Sequence, residues 1–123
     1  MPLPRPTGPR RRKTPPREPV EPVDFDEAAD TFALLAAPTR VRLLWLLAQH
    51  ELDVSSLAEA VDATVPTVSQ HLAKLRLADL VTARAEGRRQ IYRVEDRHIV
   101  ELVTQAVHHH AEIRSRGTRL RGS

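Results

Sequence analysis

Four residues near the C-terminal end have types and spacing that could hold a metal ion: Asp96, His98, His109 and Glu112. The segment from about Glu95 to Arg114 lacks Pro and Gly, and its apolar residues Ile99, Leu102, Val103, Ala106, Val107 and Ile113 recur every three or four positions, which predicts one helix. At ~100° per residue, eleven steps return His109 to the bearing of His98, with Glu112 beside them. The two imidazoles are nevertheless ~16 Å apart along the axis. Ligands of one ion lie ~2 Å from it, so a single straight helix cannot bring them together. A second, antiparallel copy of the helix can. Asp96 and His98 of one chain then meet His109 and Glu112 of the other, and a two-fold axis near Val103 generates two equal sites. Two imidazoles and two carboxylates suit a borderline dication such as zinc.

Each residue also has a plainer use. Asp96 can cap the helix, and Glu112 can pair with Arg116. His108 and His110 point ~100° to either side of His109 and stand outside a four-coordinate site, but a six-coordinate ion could recruit them, which makes Ni2+ or Co2+ the alternative to Zn2+. A metalloenzyme would need an open coordination position and a general base. Four protein ligands fill the sphere and no acid–base pair adjoins them, so catalysis is not expected.

The elements that would position this site are readable along the chain. The 123 residues suit one domain. Cys is absent, which excludes disulfides and thiolate ligation. No apolar run is long enough to span a bilayer and no secretory signal is evident, so a cytoplasmic location without membrane contact is expected. The net charge of +3 is uneven: residues 1–23 hold six Arg and Lys against two Glu, a net +4, leaving −1 for the rest. Eight of the ten prolines fall in the same stretch, so 1–23 is expected to be a disordered basic leader, with the domain over 24–115 and a second disordered tail over 116–123.

Asp24 or Asp26 can cap a first helix bearing Phe25, Ala28, Phe32 and Leu35 on one side. Pro38 opens a second, Leu-rich helix in which Trp45 is expected to be core. A short helix over Val54–Val61, capped by Ser55 or Ser56, a break at 62–65, and a helix from Pro66 to about Ala78 make a helix-turn-helix. The outer face of its second helix shows Thr67, Ser69, Gln70, His71 and Lys74, donors and acceptors suited to base edges and phosphates. Alternating segments on either side of Glu86-Gly87 predict a β-hairpin. As a wing, it would carry Arg84, Arg88 and Arg89 to a phosphate strand or the minor groove of double-stranded operator DNA. The plainer alternative is a solvated hairpin tip.

In that order and spacing, LLAAPTRVRLLWLLAQHELDVSSLAEAV, VSQHLAKLRLADLV, RAEGRRQIYRV and EDRHIVELV resemble the ArsR/SmtB family of bacterial metal-sensing repressors over residues 27–113. The resemblance implies a mainly α fold with a β-hairpin wing, a winged helix-turn-helix, paired as a homodimer through its terminal helices. It also implies an operator bound in the metal-free state and released when metal binds. Zinc-sensing members carry Asp-x-His, ten residues, then His-x-x-Glu or His, and Asp96, His98, His109 and Glu112 match that pattern. The thiolate site of other members is not expected, because Asp53 stands where its Cys would be.

Overall fold

The computed structural model describes residues 18–122, and their side chains as far as Thr118. Five helices and a small sheet follow one another as α1 (Pro22–Leu34), α2 (Pro38–Leu47), β1 (Leu52–Asp53), α3 (Val54–Val61), α4 (Val65–Leu77), β2 (Thr82–Glu86), β3 (Arg89–Arg93) and α5 (Arg97–Gly122). The leader expected over 1–23 falls mostly outside the described residues.

The helices start where local chemistry satisfies their free amides. The cap of α1 is Glu21, three residues before the earlier of the two expected caps, because Glu21 and Asp24 form a reciprocal capping box, the Glu21 amide donating to Asp24 Oδ2 at 2.8 Å. α3 is capped by Asp53 rather than by Ser55 or Ser56, its Oδ1 accepting from the Ser56 amide at 2.9 Å. Thr64 caps α4, with Pro66 in the first turn, where a missing N–H costs nothing. Between α3 and α4 the chain reverses through Asp62, whose φ of 55 places it in the left-handed region.

The core is wholly apolar. Leu43, Leu44, Leu57, Val68, Leu72, Leu75 and Val81 are almost fully buried, and Ile99 and Val103 bring α5 against them. Trp45 and Tyr92 pack against this cluster partly buried, so Trp45 sits at the edge of the core rather than within it. No polar or charged residue is buried among the described residues. Burial of this cluster fixes α3 and α4 against α2, leaving the outer side of α4 in water.

The sheet has three strands rather than two, in the order β1-β3-β2 and all antiparallel. Glu86 pairs with Arg89 across a two-residue loop in which Gly87, with φ 65, takes the position that only glycine fills readily in a type II′ turn. β1 pairs Leu52 with Tyr92 and Asp53 with Ile91, which ties the hairpin to the start of α3.

One boundary is corrected outright. α5 does not end near Arg114, and residues 116–122 are helical rather than a loose tail. Gly117, the one glycine inside the helix rather than at its end, costs only about 1 kcal/mol, and arginines toward a C-terminal end are favoured by the helix dipole.

Candidate functional site

The recognition surface follows from the α3–α4 pair. Thr67, Ser69, Gln70 and Lys74 are exposed on one side of α4, as expected. Thr67 is also held at the helix start, where its hydroxyl accepts from the Thr64 hydroxyl at 2.9 Å. His71 is different. It is half-buried, and its Nδ1 accepts from Arg40 Nε at 3.2 Å. Burial lowers its pKa, and the Arg40 and Lys74 charges lower it further, so the ring is neutral at pH 7. Arg40 donates its other arm to the Leu34 carbonyl at 2.6 Å, joining the last residue of α1 to α4 through one guanidinium.

The wing departs further from a free basic tip. Arg84 sits in the middle of β2, not at the turn, and is bound by Glu51 and, at 3.2 Å, by Glu86. The hydrogen bond that Arg84 donates to Glu51 pushes the Arg84 pKa further up. Arg89 Nε donates to Asp53 Oδ2 at 2.8 Å. Arg93 reaches Glu95 at 2.7 Å and the second oxygen of Glu51 at 4.0 Å. Arg88, in the turn, forms no ion pair among the described residues. Sequence reasoning missed Glu51, Asp53, Arg40 and Arg93 as parts of this surface. The signal for the first two was present: acids two residues apart around Leu52 put both carboxylates on one side of an extended segment.

Asp53 is the most constrained acid of the group. Hydrogen bonds from Ser56, then from Arg89, hold its carboxyl at about 2, well below the usual carboxylate range. A carboxyl whose pKa falls on folding stabilises the fold at pH values above its unfolded pKa, near 3.9, and that contribution fades as acid approaches the folded value. Asp53→Asn keeps a competent cap but loses the charge. The wild type should therefore melt higher than this variant at pH 6, and the gap should close between about pH 4 and 2. Thermal melts followed by circular dichroism across that range measure it; a constant gap would place the stabilisation elsewhere.

On α5, Ile99 and Val103 face the core, whereas His98, His109 and Glu112 are exposed. The three share a stripe of the helix with Leu102 and Ile113, which are 37% and 46% exposed although apolar. Asp96 caps the helix, its Oδ1 accepting from the His98 amide at 2.8 Å and the Ile99 amide at 3.4 Å, with His98 Nδ1 also 3.4 Å away. Its Oδ2 and the His98 Nε2 are the donors left for a ligand. His109 and His110 stack edge to face with ring centroids 5.1 Å apart. Within one chain the structure brings Asp96 and His98 together but not His109 and Glu112 to them, and no three His, Asp or Glu side chains converge on a metal position among the described residues. The donor chemistry fits a dication only where a second α5 completes it.

The apolar surface beside this stripe continues onto α1. Phe25 and Phe32 are 69% and 58% exposed, and α1 contributes no buried residue. Phe32, Leu35, Val41, Leu102 and Ala106 line a groove of about 200 Å³ between α1, α2 and α5. No helix among the described residues is long and apolar enough to cross a membrane.

A helix-turn-helix packed on α2 and α5, with a hairpin wing following its second helix, defines the winged helix-turn-helix fold. The family model for bacterial regulatory proteins of the arsR family matches residues 37–83. The transcriptional repressor SmtB of Mycobacterium tuberculosis is 37% identical over 98 residues, 80% of this chain and 69% of that protein. The chain belongs to the arsR family. The regulator KmtR of the same organism is 50% identical over 78 residues, which span 63% of this chain and 60% of KmtR. Among solved structures, the homodimeric winged helix-turn-helix DNA-binding domain of Mb0332 from Mycobacterium bovis superposes with a TM-score of 0.66 at 33% identity, covering 75% of this chain and 85% of that one.

Proposed function

We propose that the chain is a homodimeric repressor that binds operator DNA and is released from it by a dication held between two antiparallel copies of α5. One observation carries the reading: His98, His109 and Glu112 lie exposed along the same stripe as the uncovered apolar residues Leu102 and Ile113. A second α5 laid on that apolar seam brings Asp96 and His98 of each chain to His109 and Glu112 of the other. Four such ligands suit zinc. The edge-to-face contact of His110 with His109 supports a second reading, in which His110 enters a six-coordinate shell and the ion is nickel or cobalt.

The exposed side of α4, with Thr67, Ser69, Gln70 and Lys74, would enter the major groove, and His71, fixed by Arg40, would set the helix against it. Arg88 and Arg84 would serve the flanking phosphates, and Arg89, paired with Asp53, would hold the wing in place for them. Two recognition helices must meet half-sites ~34 Å apart, so an ion that fixes the α5 pair in another relative position weakens the complex. Emptying a mostly occupied operator needs ~5.5 kcal/mol of differential metal affinity, shared by two sites.

The test is a titration of operator affinity with and without zinc, using the chain's own promoter region. A loss of affinity on the order of 10⁴-fold at saturating zinc is expected, and equal affinity in both states would reject metal release. The visible spectrum of the cobalt-loaded protein then separates the readings, with intense bands for four ligands and weak ones for six.

A further inference from the structure

The wing arginines are not equivalent, and the difference lies in what holds them. Arg89 is tied to Asp53, which is only 15% exposed, caps α3 and pairs with β3 through the backbone. That pair is part of the fold. Arg84 is held in water by Glu51, their side chains 48% and 43% exposed, and by Glu86 at 3.2 Å; Glu51 hydrogen-bonds Arg84 alone among the described residues and lies 4.0 Å from Arg93. Exposed ion pairs are weak enough to exchange partners. A guanidinium that accepts a carboxylate in this geometry accepts a phosphate equally well.

We infer that Glu51 is an internal counter-ion that competes with DNA phosphate for Arg84, whereas the Asp53–Arg89 pair is a fixed latch that holds the wing on α3. In the free chain Arg88 is then the uncommitted wing cation, and Arg84 joins it on DNA by leaving Glu51. This rests on the DNA-binding reading above and adds to it the residue that sets the strength of the contact.

The exchange has a signature in salt dependence. A phosphate neutralised by an arginine releases about 0.9 of a counterion. While Glu51 still holds Arg84 in part of the bound population, that contact delivers only part of its counterion release. Removing the Glu51 charge restores it. Glu51 is exposed and supports no core contact, so the substitution leaves the fold in place.

The experiment measures binding of the full chain to a fluorescein-labelled duplex of mixed sequence over a range of salt, for the wild type, E51Q, R84A and the double variant. E51Q is expected to bind about two- to fivefold more tightly, the scale set by an exposed pair. Its plot of log affinity against log salt should be steeper by up to about 0.9 per wing. In the R84A background the same substitution should change neither quantity. Unchanged or weaker binding by E51Q overturns the inference, because Glu51 would then be a support for the wing rather than a competitor. A gain that persists in R84A overturns it as well, since it would report only the loss of one negative charge. Failure of the wild type to bind any duplex at low salt removes the DNA-binding reading itself and the inference with it, a result distinct from the other two.

Discussion

Neither His98→Ala nor His109→Ala should retain zinc, yet an equal mixture of the two should recover about a quarter of the wild-type content, the value for free exchange between symmetric dimers. The asymmetry of the shared site produces this result. Each ion would take His98 from one subunit and His109 from the other, so either substitution in a homodimer removes one imidazole from both sites. In a mixed dimer the two lesions fall on the same site, and the other is complete. Losing a ligand should cost at least the 10–100-fold that disturbing its supporting partner costs. Zinc content after gel filtration of the refolded mixture reads the result. No recovery on mixing would show that each chain binds metal by its own residues or not at all, and the antiparallel arrangement would fall.

The second large effect concerns the face that α1 leaves uncovered. Phe32→Asp should give a monomer by light scattering while the far-ultraviolet circular dichroism of the folded chain is unchanged. Phe32 is 58% exposed at the mouth of the groove it lines with Leu35, Val41 and Leu102, so a charge there can turn to water in the monomer but is driven into apolar surface in the pair. Operator affinity should fall by about 100-fold or more, because two linked recognition helices gain at least that much over one. A dimer that persisted with full affinity would place the interface away from α1 and its groove. Loss of helical signal would instead show that Phe32 supports the subunit itself.

Periodicity served well wherever the solvent boundary alone decides structure. The amphipathic α2 and α4, the short α3 and the hairpin about Gly87 could be read directly, because apolar spacing and one glycine determine them. Caps were less legible. Asp53 and Ser55 are equally good candidates on composition, and only the pairing of β1 with β3 selects Asp53. β1 itself is two residues long and has no internal pattern, so its partner strand reveals it and the local sequence does not. The same limit explains the wing: a run of arginines looks free until Glu51 and Asp53, more than thirty residues earlier, are brought beside it. His98 and His109 were legible as a pair on one bearing, since helical geometry is local. The end of α5 was not, because Gly117 reads as a stop although the helix continues through it.

The strand order has a further consequence. β2 lies at the margin of the sheet with no strand paired to its outer side among the described residues, which makes it a template on which another polypeptide could add. It is guarded by its length of five residues and by Arg84 and Glu86, whose charges discourage stacking of one molecule on the next. If Arg84 takes the phosphate contact proposed for it, the same side chain would serve both the grip on DNA and the dispersal of the protein, and a wing made more apolar would surrender both together.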